Sequence, residues 1–447
     1  MRLAPVLLAL STLAFLAGCS RQPASAPAAS VAPAAHAAPA AAVLPAKGNV
    51  AAAPGIYGSA IVKVPVPELA ALGKLMFFDP SLSASGRQAC ASCHAPDRAY
   101  APPNRLSVQL GGKDLHATGT RAAPSLRYVQ NVPPFSEHFY DNDGDDSKDQ
   151  GPTGGHDWDG RADSSHEQAR GPLLSPDEMG NASTVEVVER VRKSAYADRF
   201  RRAFGADIFA RPLDAFAAAS MALEVFQETP AEFYPYTSKF DAVLRGQAQF
   251  DKQEARGLAL FNRADKGNCA SCHISEVKSG AFPAFTDFGF IALGAPRNRA
   301  LAANADAGFY DLGLCGPQRT DLAKRPAFCG LFRTPGLRNV ALRGTFFHNG
   351  VFHSLEEVLQ FYATRDTDPA RWYGRNPDGS ARRFDDLPDA YRANVNMDPP
   401  FGRKPGQKPA LDRQEIADII AFLKTLSDGY VPAGTGGKAE KARLARR

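Results

Sequence analysis

Strand signals are scarce along the 447 residues, and scarcity of alternating β-branched and aromatic runs argues against a sheet-based core. No apolar run has membrane-spanning length. The stretch Leu3 to Leu16 is too short to cross a bilayer and, following Arg2, reads as a signal peptide. Basic surface is scarce as well. The net charge is +5, but the tail from Lys438 to Arg447 holds five Lys/Arg and one Glu. About +1 is left for the rest, which excludes a general nucleic-acid-binding face. Residues 20 to about 60 are Ala/Pro-rich and nearly devoid of large apolar side chains. Such a segment cannot bury enough surface to fold and reads as a tether.

Cysteine is also limited, to seven, and each has a place. Cys19 closes Leu16-Ala17-Gly18-Cys19, which resembles a bacterial lipobox and makes Cys19 a candidate lipidation site. Cys315 and Cys329 lie in a Gly/Pro-rich loop. An exported chain meets an oxidising compartment, so a disulfide between them is expected. It is worth about 3 kcal/mol in the chain-entropy model.

The other four cysteines form two identical pentapeptides, Cys90-Ala91-Ser92-Cys93-His94 and Cys269-Ala270-Ser271-Cys272-His273. C-x-x-C-H is the attachment pattern of c-type haem. Two thiols add across the porphyrin vinyl groups, and the adjoining His ligates the iron. Zinc would require four ligands converging in one place. A redox dithiol has no use for the following His. Two covalent haems are therefore expected, on Cys90, Cys93 and His94 and on Cys269, Cys272 and His273.

Helical periodicity precedes each motif, at Pro67 to Phe78 and Asp251 to Phe261. Ser183-Thr184-Val185-Glu186 reads as a capping box, with Val185, Val188 and Val191 on one face. Further helices are expected from Leu213 to Glu228 and from Ser354-Leu355-Glu356-Glu357 to about Thr364. The last is capped by Asp412 and Glu415, with Ile416, Ile419, Ile420 and Leu423 in register. Residues 95–160 and 280–335 lack periodicity. The acidic run Asp141 to Asp149 has its Gly misplaced for an EF-hand and no closing Glu, so it reads as a solvated loop. The expected fold is mainly α, with two cytochrome c-like haem domains in tandem and long irregular loops. The segments are a signal peptide (1–18), a tether (19–63), an N-terminal haem domain (64–250), a C-terminal haem domain (251–430) and a basic tail (431–447).

At the level of longer motifs the chain resembles the bacterial dihaem cytochrome c peroxidases and MauG. The resemblance is carried by Leu72-Gly73-Lys74-Leu75-Met76-Phe77-Phe78-Asp79, Trp158-Asp159-Gly160-Arg161-Ala162, Glu178-Met179, Thr334-Pro335-Gly336-Leu337-Arg338-Asn339 and Phe347-His348-Asn349-Gly350. It spans about residues 65–430. It implies peroxide chemistry at the first haem, with Glu178 as acid/base and Trp158 carrying electron holes between the haems. His116 falls near the position of a distal His that gates this iron in many of the peroxidases, about two residues out of register. His348 matches a His near the domain junction, with a supporting or relay role.

The second haem needs a second axial ligand. By analogy with single-haem cytochromes, position alone points to Met397, shortly before the last helix. The resemblance points to Tyr362, which shares a helical face with Leu355, Val358 and Leu359. Peroxidases carry Met there, whereas MauG carries Tyr, a hard anionic donor that lowers the reduction potential. The resemblance also implies a calcium ion between the haems, on an Asn side chain matched by Ala122 and on carbonyls matched by Arg343 and Thr345. The missing Asn leaves that ion open. The implied activity is a MauG-like haem peroxidase that stores oxidising equivalents. A conventional peroxidase fed by a small periplasmic cytochrome or cupredoxin is the alternative, and an electron-carrying cytochrome without peroxide chemistry is a third class. A MauG-like protein would act on a protein substrate. The expected location is periplasmic and lipid-anchored, favouring the outer membrane.

Overall fold

The computed structural model describes residues 64–140 and 149–432. The signal peptide with Cys19, the tether, nearly all of the acidic run and the tail from residue 433 on lie outside them. Twelve α-helices occur among the described residues, with short 3₁₀ turns between them. In chain order they are α1 (Val66–Phe77), α2 (Cys90–Cys93), α3 (Ser165–Leu174), α4 (Thr184–Lys193), α5 (Ala197–Phe204), α6 (Pro212–Gln227), α7 (Pro230–Phe233), α8 (Lys239–Leu244), α9 (Lys252–Asn262), α10 (Leu355–Thr364), α11 (Pro369–Tyr373) and α12 (Arg413–Lys424). Sheet among the described residues is limited to two antiparallel pairs of two-residue strands. β1 (Leu110–Gly111) pairs with β2 (Ala117–Thr118), and β3 (Phe290–Ile291) with β4 (Phe332–Arg333). No described helix is long and apolar enough to cross a membrane.

Local chemistry starts these helices where the side chains dictate. Ser183, Ser354, Asp251 and Asp412 each accept a backbone N–H of the first turn, which stabilises a helix by about 1 kcal/mol per cap. In α4 the buried stripe is Val187, Val188 and Val191, while Val185 is exposed. Four valines cover so much of this helix that the sequence left its inward side ambiguous.

The same packing unit occurs twice. Gly73 of α1 lies against α6 so closely that a Cβ would stand 1.8 Å from the carbonyl O of Ala222. Gly257 of α9 lies against α12, where a Cβ would stand 2.0 Å from the carbonyl O of Asp418. One turn on, Phe77 meets Phe226 edge-to-face at 5.4 Å, and Phe261 meets Phe422 at 5.2 Å. Each glycine therefore lets a motif-bearing helix cross its partner backbone to backbone, and each phenylalanine seals the crossing. The buried apolar residues form two clusters, one from Leu69 to Phe233 and one from Phe240 to Leu426. Phe240 places α8 with the second cluster, although the sequence suggested a division at 250/251.

Replacing Gly257 by Ala forces Asp418 and its helix outward. We expect a loss of about 1–3 kcal/mol, the usual cost of overpacking. Thermal unfolding of the holoprotein checks this, and an unchanged Tm would mean that the crossing is not rigid.

The loops between helices are held by polar contacts. Arg121 pairs with Asp159 and with Asp311 at 2.7 and 2.6 Å, all three buried, joining loops from both halves. Arg338 forks onto buried Asp241 through Nη1 and Nη2. Cys315 and Cys329 are disulfide-bonded, with Cα atoms 4.9 Å apart.

Candidate active site

Each Cys-Ala-Ser-Cys-His motif follows its crossing helix after a short connection. The first forms α2, and the second forms a 3₁₀ turn over Cys269–Ser271. In both, the turn folds back so that the His amide donates to the carbonyl of the first Cys, at 3.0 and 2.8 Å. The His rings are held alike. His94 Nδ1 bonds the carbonyl O of Tyr100 at 3.1 Å, and His273 Nδ1 bonds that of Phe285 at 2.9 Å. A carbonyl only accepts, so Nδ1 carries the proton and Nε2 keeps its lone pair. Burial pushes both rings down to about 4, so both are neutral donors near neutral pH.

Tyr100 and Phe285 share a further feature, because both adopt left-handed backbone with φ of 55° and 58°. Neither is Gly, so the conformation carries strain. Tyr100 is held there by its hydroxyl, which donates to Glu232 at 2.7 Å, and by stacking on Phe233. Phe285 is fully buried among Phe240, Phe261 and Phe422. The strain turns each carbonyl toward its histidine. Sequence reasoning missed both residues, since they follow their histidines at unequal spacings inside aperiodic loops.

All four motif thiols are free. Burial pushes Cys90 and Cys269 up to about 12, the reverse of what a reactive redox dithiol needs. No group of three or more His, Cys, Asp or Glu converges on a common point among the described residues, so neither motif has the further ligands of a zinc site. Paired free thiols and a neutral His with a free Nε2 fit covalent haem at both motifs.

Beside the second motif the space is a cavity. Cys269, Cys272 and His273 line it together with Leu355, Val358, Leu359 and Tyr362 of α10. These four α10 residues are the stripe expected from the sequence. Tyr362 packs between Phe347 and Phe401, and its hydroxyl has no hydrogen-bond partner among the described residues. Burial raises its pKa, and the neighbouring Cys269 and Cys272 raise it further. Met397 is not brought to this cavity. It is 46% exposed, and its sulfur accepts from Arg365 Nη2 at 3.3 Å.

Near the first motif, Glu178 lies in a turn after α3, braced by the β1–β2 hairpin. Its carbonyl accepts from Gly112 at 2.7 Å. A Cβ on Gly111 would collide with the Asp177 carbonyl, so only glycine allows this approach. Burial, with the Asp157 charge adding, raises the Glu178 carboxyl to about 7. By surface area the same side chain is exposed. The carboxyl thus stands at the edge of open space with protein close on its other sides. Its charge is felt at both Cys90 and Cys93. His116 is exposed at the end of the hairpin loop, where its amide donates to Asp114. Nothing packs it over His94.

Between the motifs, Trp158 donates from Nε1 to the Ala122 carbonyl at 2.8 Å and lines the second cavity. His348 also lines that cavity. Its ring lies flat on Phe332, its carbonyl accepts from Ala122, and its Nε2 is buried without a partner, an orphan that a group in the cavity would satisfy. Ala122 offers no side-chain oxygen. The carbonyl of Thr345 is engaged by Arg343 Nε at 3.3 Å. This donor set does not fit the calcium ion that the sequence resemblance implies.

Comparison with known proteins agrees with this geometry. The sequence model described as di-haem cytochrome c peroxidase matches residues 67–249. Methylamine utilization protein MauG of Paracoccus denitrificans is 34% identical over 378 residues, covering 80% of this chain and 88% of that one. Cytochrome c551 peroxidase of Nitrosomonas europaea is 30% identical over 307 residues, covering 67% and 75%. Among solved structures, the diheme peroxidase BthA from Burkholderia thailandensis is 42% identical with a TM-score of 0.73, covering 83% of this chain and 88% of that chain.

Proposed function

Because this chain belongs to the family of MauG and the di-haem cytochrome c peroxidases, and is thus an oxidoreductase acting on hydrogen peroxide, we propose that it works in the MauG-like manner. Hydrogen peroxide is reduced at the first motif, and an oxidising equivalent is kept at the second for a partner. The observation that carries this reading is Tyr362, rather than Met397, in the cavity of His273. When bound, the two haems supply the redox chemistry: two electrons and two protons convert one peroxide to two waters.

The residues do the rest. His94 and His273, with Nδ1 engaged and Nε2 free, would hold the iron of each haem. Glu178 takes the proton from the inner peroxide oxygen and returns it to the outer one, a task suited to a carboxyl poised near neutrality. Trp158 joins the two sites. Tyr362 would hold the second haem's iron as a phenolate, a hard donor that a metal charge would stabilise and that would favour the oxidised iron. His348 supports the junction. The partner is a protein substrate at the surface; a small cytochrome or cupredoxin donor belongs to the conventional alternative. The Leu16–Cys19 lipobox supports a lipid-anchored periplasmic location.

The test is spectroscopic. EPR of the ferric holoprotein should show one high-spin and one low-spin haem. Stopped-flow mixing with hydrogen peroxide, without any reductant, should change the absorbance of both haems. No change before reductant is added would favour the conventional peroxidase. Two low-spin signals would favour the electron carrier.

A further inference from the structure

At the junction of the two motifs stands a cation without an anion. Arg343 follows the 3₁₀ turn Val340–Leu342. Its Nη2 donates to the Ala123 carbonyl at 3.2 Å and its Nε to the Thr345 carbonyl at 3.3 Å. No carboxylate pairs with it among the described residues. Arg121, Arg338 and Arg365 each have one. Arg343 lines the cavity that holds His273 and Tyr362, and its charge is also felt at His94. It therefore addresses both sites at once.

A part-buried guanidinium with no counter-charge among the described residues still has N–H donors to satisfy, so its acceptors matter. Both are backbone carbonyls, the hard neutral oxygens that a calcium ion also takes. One belongs to Thr345, where the resemblance places a calcium ligand, and the other adjoins Ala122, where the Asn ligand is missing. We propose that the Arg343 guanidinium is the resident cation of this junction, taking the place of an inter-haem calcium ion and leaving the protein calcium-independent. Two of its five N–H donors are used, and three remain for the propionates that haem brings. Its positive charge favours the reduced state of both irons.

The inference rests on the two-haem reading, which a pyridine haemochrome assay checks separately; fewer than two c-type haems per chain would overturn that reading itself. In the full-length holoprotein, mass-spectrometric metal analysis should find calcium far below one ion per chain. Excess EGTA should leave the ferric EPR spectrum and both reduction potentials unchanged. Arg343→Gln should shift both potentials downward, and Arg343→Lys, which keeps the charge, should restore them. Stoichiometric calcium that EGTA removes with a change in the haem spectra would overturn the proposal. So would wild-type potentials in Arg343→Gln.

Discussion

Replacing Glu178 by Gln will slow the reaction of the ferric holoprotein with hydrogen peroxide by about 10²- to 10⁴-fold, the usual contribution of one positioned acid/base group. Gln keeps the shape and a hydrogen-bonding tip but cannot take the proton. The haem spectra should be unaltered, since Glu178 acts on peroxide and ligates nothing in this scheme. The pH dependence gives a second reading of the same claim. The carboxyl is raised to about 7, chiefly by burial and then by Asp157. Only its ionised form accepts a proton, so the rate constant should climb as pH rises through about 7 and level off above it. In Glu178→Gln this titration should vanish. Stopped-flow rate constants between pH 5 and 9 check both statements. A variant within threefold of wild type would move the role to another group.

The second large effect is expected at Tyr362. Replacing it by Phe removes the one oxygen that α10 brings to the second cavity, so the low-spin ferric EPR signal should be lost or replaced. Replacing it by Met puts a soft thioether where the phenolate stood. Ferric iron loses an anionic donor, and the reduction potential of this haem should rise by a sizeable fraction of the about 0.8 V that axial ligands span. Spectroelectrochemistry reads this directly. The Tyr362→Met protein should then behave as a conventional peroxidase that needs a reductant before it reacts. An unchanged low-spin signal in Tyr362→Phe would show that the ligand comes from elsewhere. Met397 would be a poor replacement, because the residue is exposed and its sulfur is engaged with Arg365.

Much of the helical frame was legible because its signals are local. Asp251, Ser354 and Asp412 announce helix starts through their own side chains. The stripe of α10 follows from its spacing, and Tyr362 lies on it with Leu355, Val358 and Leu359. Legibility failed where one helix carried too many apolar residues, as at Val185. It failed again where position along the chain was taken for position in space, as with Met397. The two glycine crossings could be noticed as small residues in helical runs. That a Cβ on either would stand about 2 Å from a carbonyl depends on a partner helix some 150 residues away.

The sequence by itself determined the two haem-attachment motifs and the histidine that closes each, because such a motif needs only five consecutive residues. It also determined that the two attachment sites are alike. What makes them different was decided by tertiary structure. Strained carbonyls at Tyr100 and Phe285 orient the histidines. A hairpin brings Glu178 within electrostatic reach of the first motif, α10 swings Tyr362 over the second, and Arg343 stands between them. The reason is physical. A thioether bond is a property of neighbours along the chain, whereas proton affinity and reduction potential are set by whatever charges and donors lie within a few ångströms, and the fold draws those from distant segments.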